Sequence, residues 1–183
     1  CQYQNIQFKI NELDATVMYA GMLVDTNYFK QRVGVGTFQS AAYLKDLQAN
    51  VMQAYEFLED SYKETLQKLS ITQTAYQYNS FILIAVANEE NEYTRTMLAK
   101  ASNSLLDVSG IKASFTIGKV SKNIVGISAR SSQKINVQVI MENMGGGGHF
   151  SMAAAQFTDM SIEAVRCLLE EKITEYLDDR GEL

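Results

Sequence analysis

Phe81-Ile82-Leu83-Ile84-Ala85-Val86-Ala87 is the longest uninterrupted apolar run in this chain of 183 residues. It falls far short of the roughly 20 residues that a membrane-spanning helix needs. A short continuous apolar run of this kind is the pattern of a strand buried on both faces. The surroundings read as mixed α/β. Tyr93, Met97, Ala101 and Leu105 follow at helical spacing. Residues 113–120 and 124–131, separated by Ser121-Lys122-Asn123, predict a hairpin. In its second strand a period of two places Val125, Ile127 and Ala129 on one face, with Ser128 and Arg130 on the other. A hydroxyl and a guanidinium therefore point together, away from the apolar side.

Helical patterns flank this core. Residues 12–29 form a mostly apolar, helical segment that delivers Asp25 at its polar end. Lys30, Arg32, Gly34 and Gly36 follow in a turn-like stretch; the two cations read as solvated loop charges and Asp25-Thr26-Asn27 as good turn chemistry. From Asn50, the residues Met52, Tyr55, Leu58, Tyr62, Leu66 and Leu69 recur every three or four positions, which predicts one amphipathic helix over 49–72 connecting two bodies. Asn136 can cap a helix whose buried stripe is Val137, Ile140, Met141 and Met144. Ser161 starts a last helix, with Ile162, Val165, Leu169, Ile173 and Tyr176 inward, running to the C-terminus.

Between these two helices stand four consecutive glycines and the chain's only histidine, Gly145-Gly146-Gly147-Gly148-His149. Glycine loses more backbone entropy on ordering than any other residue, so four together imply a close approach of the backbone or positive φ. The sequence shows no packing need for them. Gly145 suits the left-handed position after a helix end. Unobstructed N–H groups at a glycine-rich turn, the positive end of a following helix and a neighbouring imidazole all favour an anion, and the expected visitor is a phosphate.

Charge narrows the class of ligand. The formal net charge of −5 offers no basic field for a long polyanion, which argues against broad nucleic-acid binding and leaves a small anionic ligand in a local pocket. Cys1 and Cys167 are the only cysteines, so there is neither a disulfide framework nor a metal-thiolate spacing, as fits a reducing cytoplasm. No signal peptide is recognised.

The run from Asn136 to His149, preceded by Ile127-Ser128-Ala129-Arg130-Ser131, resembles the DHH-associated domain of the DHH/RecJ phosphoesterase superfamily. Ala15-Thr16-Val17-Met18, Ala20-Gly21, Val24-Asp25-Thr26-Asn27, Phe29, Arg32 and Thr37-Phe38 resemble the closing segment of the DHH domain that precedes it. Together these motifs are most similar to the GdpP-type cyclic di-AMP phosphodiesterases, and the resemblance covers nearly the whole chain.

The resemblance implies an α/β fold in three parts: residues 1–48 a helical remnant of the DHH catalytic domain, 49–72 the connector helix, and 73–183 a mixed-sheet DHH-associated domain that binds substrate. It implies a manganese-dependent hydrolase (Mn2+) that opens cyclic di-AMP to a linear dinucleotide. Asp25 matches the family's last metal-ligand aspartate. Gly145, Gly146, Gly147, Gly148 and His149 match its phosphate-binding loop, and Ser128 and Arg130 match a strand facing the nucleotide. With one histidine, the chain lacks the family's Asp-His-His cluster, and Gly36 stands where the family pattern usually has an arginine. The sequence is expected to begin inside the DHH domain and to hydrolyse little or nothing alone. The expected partner is a cyclic dinucleotide or short oligonucleotide, in the cytoplasm, with a membrane anchor in the parent protein and homodimerisation left open. A short-oligonucleotide exonuclease fragment and a non-catalytic RNA- or nucleotide-binding module stay as alternatives.

Overall fold

The computed structural model describes residues 9–132 and 134–181. The chain divides into two compact units at Asp60/Ser61.

The first unit is helical: α1 (Glu12–Asp25), α2 (Val35–Asp46) and α3 (Val51–Glu56). Asn11 and Asp14 form a capping box that fixes the start of α1, the Asn11 side chain accepting from the Asp14 amide at 2.9 Å. Ala15, Leu44 and Ala49 are buried in one small core, and Ala20, Leu23 and Ala54 in a second. Thr16 ties α1 to the start of α3: its hydroxyl donates to the Glu12 carbonyl and accepts from the Asn50 amide, which is 34 residues away, at 2.9 Å.

The second unit carries α4 (Tyr62–Thr72), β1 (Tyr76–Asn79), β2 (Ile82–Val86), α5 (Arg95–Leu106), β3 (Ala113–Ser121), β4 (Ile124–Ser131), α6 (Val137–Glu142), β5 (Gly147–His149), β6 (Met152–Thr158) and α7 (Ile162–Asp178). The strands form one mixed sheet in the order β1-β2-β3-β4-β6-β5. Only β2 and β3 run parallel, joined through α5, as a parallel pair requires a crossover. On one face Ile84, Phe115, Ile127 and Ala155 pack with Ile140 of α6 and with Leu169 and Ile173 of α7. On the other, Ala85 packs with Met97, Leu98 and Ala101 of α5 and Ile71 of α4. The apolar run that opened the sequence reading is thus a strand covered on both faces, with Ile82 and Ile84 in one core and Leu83 and Ala85 in the other.

Polar side chains lock α5 to the sheet. Ser102 and Ser114 are fully buried and exchange hydroxyl-to-carbonyl hydrogen bonds at 3.0 and 2.7 Å. Thr116, also fully buried, donates to the Leu98 carbonyl at 2.7 Å. At Gly118 a Cβ would stand 2.8 Å from Leu98 Cδ2, so the missing side chain lets the helix lie close.

Three expectations need correction. The single helix over 49–72 is two helices, α3 and α4, separated at residues 57–61. Ser61 and Glu64 explain the break: Ser61 Oγ accepts from the Glu64 amide and the Glu64 carboxylate accepts from the Ser61 amide, a capping box that starts a new helix. The stripe itself is largely outward, with Met52, Tyr62, Leu66 and Leu69 exposed. The last helix stops at Asp178, and Glu182 and Leu183 lie outside the described residues, as does Cys1. Finally, no helix follows the glycines. They leave the C-terminal end of α6 and become edge strand β5, and the next helix begins only at Ile162.

Candidate functional site

The glycine run has three separate physical explanations. Gly145 takes φ +78°, and the amides of Gly145 and Gly146 return to the carbonyls of Glu142 and Met141 at 2.9 and 2.8 Å. This is a Schellman ending, which needs the left-handed residue. Gly146 and Gly148 face the backbone of β6: a Cβ on either would collide with the carbonyl oxygen of Ala154 or Met152, respectively. Packing does require these two, contrary to the sequence reading. Gly147 meets nothing within 4 Å of a built Cβ, so neither turn geometry nor crowding accounts for it.

Gly147 opens instead onto a cavity of about 470 Å³ on the α5 side of the sheet. The cross-strand register explains the cavity's floor. Gly147 pairs with Ala154, Ala154 with Ser128, and Ser128 with Thr116. Thr116 lies beneath α5, whereas Ala154 and Gln156 are exposed, because α5 covers the middle of the sheet and leaves β6 and β5 open. Gly126, Ser128, Arg130, Gly147 and Ala154 line the cavity from the sheet, and Arg95, Thr96 and Ala99 from α5.

Electrostatics set this cavity apart from the chain as a whole. Two arginines, Arg95 and Arg130, and no carboxylate line it among the described residues, in a chain of net charge −5. Arg130 Nη1 donates to Ser128 Oγ at 3.1 Å and to the Ala129 carbonyl at 2.8 Å. Its Nε is buried without a protein partner. Burial pushes the Arg130 guanidinium pKa down, which is the cost of desolvating a cation that has no paired carboxylate. Arg95 Nη2 donates to Gln156 Oε1 at 3.0 Å.

Ser128, Arg130, Gly147 and Gly148, all named from the sequence, line this one cavity. His149 is exposed at the end of β5; it pairs with Met152, which lines the cavity and is itself in register with Arg130. Gly145 and Gly146 do not line it. Arg95 and Gln156 were missed. Arg95 had a legible signal, since it directly follows Thr94, whose side chain caps α5 by accepting from Met97 at 3.1 Å; Gln156 had none.

Asp25 lies in the first unit, at the exposed end of α1. Arg32, read from sequence as a solvated charge, is its partner: Nη2 donates to the Asp25 carbonyl at 2.6 Å and stands 3.4 Å from its carboxylate. Between them Asn27, Tyr28 and Phe29 all have positive φ, at 46°, 57° and 60°, a left-handed turn rare for side chains of this size. Tyr28 stacks on Tyr55 and Phe29 on Phe38, which holds the turn. Among the described residues no three His, Cys, Asp or Glu side chains form a group that could hold a metal ion. One carboxylate already paired to a guanidinium is not the donor set of a two-metal centre.

Residues 79–178 match the DHHA1 domain. The chain is 37% identical over 177 residues to the cyclic-di-AMP phosphodiesterase GdpP of Geobacillus thermodenitrificans, covering 97% of this chain. It is 35% identical over 175 residues to the cyclic-di-AMP phosphodiesterase PdeA of Listeria monocytogenes, covering 96% of this chain. In both cases it spans 27% of the relative's length. An exopolyphosphatase-related protein from Bacteroides fragilis shares the fold, with a TM-score of 0.79 at 18% identity over 91% of this chain and 51% of that one. No helix among the described residues is long and apolar enough to cross a membrane.

Proposed function

The chain belongs to the DHHA1 domain family, and on that premise we propose that its sheet-side cavity holds the phosphates of a cyclic or linear dinucleotide, with cyclic di-AMP as the substrate of the whole protein. The observation that carries this reading is Arg130. A guanidinium set beside Ser128 in a cavity that Gly147 leaves open, with no carboxylate among the described residues lining that cavity and its buried Nε without a protein acceptor, is a cation that the cavity does not neutralise and that an anion could. Gly147 contributes through what it lacks, because without a side chain the edge strand lets a ligand approach the backbone. His149 supplies a further donor near Met152.

In this reading the chain is the substrate-holding part of a phosphodiesterase. Manganese-dependent hydrolysis belongs to the whole protein, and Asp25 is the one carboxylate this chain brings toward a metal. The described residues build no metal centre, so their own work is to bind and orient the phosphodiester. The net negative charge and the local nature of the cationic cavity favour a small dinucleotide over a long strand.

Isothermal titration of the 183-residue chain with 5′-phosphorylated linear diadenylate and with cyclic di-AMP tests the proposal. Binding is expected for at least one, with a loss of about tenfold or more in Arg130→Ala, since charge-assisted hydrogen bonds to phosphate carry the contact. Absence of binding to both, or equal affinity in Arg130→Ala, would overturn it. Incubation with manganese is expected to leave cyclic di-AMP intact, as read by chromatography.

A further inference from the structure

We infer that Gln156 reads the nucleobase and that Arg95 positions it, so that this pair selects adenine over guanine. The inference rests on the cavity being the dinucleotide site. Both residues line the cavity, and they come from different elements, the first turn of α5 and the middle of β6. Along β6, Met152 is in register with Arg130 and Gln156 with Gly126. Four residues of strand, about 13 Å, separate the two rows. A nucleotide lying along the strand would place phosphate by Arg130 and its base by Gln156. The floor between is Ala154 with Gly147, which leaves room for a flat ring, and beside Gln156 the space at Gly126 is closed by Val120, whose Cγ2 lies 2.7 Å from a built Cβ.

The chemistry of the pair selects among bases. A glutamine carboxamide offers an acceptor and a donor side by side, which match the N6 amino group and N7 of adenine; guanine shows two acceptors, O6 and N7, along the same edge. Only at guanine's other edge, where O6 accepts and N1–H donates, could Gln156 make two bonds by turning its amide over, but Arg95 Nη2 donates to Oε1 at 3.0 Å and holds the oxygen on its own side. The second lone pair of that oxygen is available for N6–H, and the amide nitrogen has no protein partner among the described residues. The Arg95–Gln156 bond is a contact across 61 residues of sequence, and it ties the orientation of α5 to the base wall.

The test compares affinities of the 183-residue chain for 5′-phosphorylated linear diadenylate and diguanylate. The parent is expected to prefer diadenylate by about tenfold or more, the discrimination typical of one bidentate base contact. Gln156→Ala and Arg95→Ala should bring the ratio near unity, and Gln156→Arg should turn the preference toward diguanylate. Arg130→Ala should weaken both ligands and keep the ratio. Gln156 is exposed, so its truncation leaves the core untouched. A parent ratio near unity, or a ratio unchanged in Gln156→Ala while both ligands still bind, overturns the inference and spares the cavity reading. Arg95→Ala weakening both ligands equally overturns the positioning role. A parent that binds neither ligand overturns the cavity reading and this inference with it.

Discussion

Arg130 spends one nitrogen on Ser128, Nη1 to Oγ at 3.1 Å, and leaves its Nε buried with no protein acceptor. The two residues stand two positions apart on β4, and the strand period alone puts them on one face. The bond orients a planar fork rather than a mere charge. Arg130→Lys, which keeps the charge and loses the fork, is therefore expected to lower affinity for linear diadenylate by about tenfold. Titration calorimetry checks this, and parent-like affinity in the lysine variant would mean that charge alone is needed.

The glycines separate by role. Gly146→Ala sets a methyl group against the Ala154 carbonyl and is expected to destabilise the second unit by about 1–3 kcal/mol, as overpacking does. Gly147→Ala meets open space, so its urea midpoint should match the parent while dinucleotide affinity falls. Equal midpoints for both variants would contradict the close approach of β5 to β6.

Thr116 is a buried hydroxyl whose value is the carbonyl it satisfies on α5. Thr116→Val keeps the shape and removes the bond to Leu98, at a cost of about 1 kcal/mol. Hydrogen exchange should show faster opening of α5 amides in the variant, and unchanged protection would place the holding force in Leu98 and Gly118 packing instead.

Tyr76 gives the second unit an alkaline limit. Burial first, and then the hydrogen bond it donates to the Glu170 carboxylate, push its phenol up to about 12 from an ordinary 10.0, with Arg166 opposing. Folding thus favours the protonated phenol. The resulting stability is complete below pH 10.0 and is lost as pH rises through about 12. Tyr76→Phe should be less stable than the parent below pH 10.0, and the gap should close toward pH 12 in paired urea titrations. A gap constant across that range would show that the phenol contributes no pH-linked stability.

Local rules carried much of this protein. Residues 113–120 and 124–131 read as a hairpin because alternation and turn chemistry are short-range properties, and they are β3 and β4. Asn136 and Ser161 read as caps because a side chain that accepts from an amide two or three residues ahead needs no distant partner. Ser61 and Glu64 carried an equally local signal, yet the apolar spacing running across them suggested one helix. That spacing records sequence period only, and which side of α3 and α4 is covered depends on neighbours far along the chain. β1 and β6 escaped notice for the same reason: the alanines of β6 have little propensity of their own and are strand because β4 and β5 pair with them.

The sequence by itself determined the caps, the helix end at Gly145 and the shared face of Ser128 and Arg130, because backbone sterics and strand period act within a few residues. Tertiary structure alone decided that Gly146 and Gly148 are packing glycines while Gly147 faces a cavity, and that Arg95 meets Gln156. Those outcomes depend on strand order and on where α5 stops covering the sheet, and only long-range pairing fixes either.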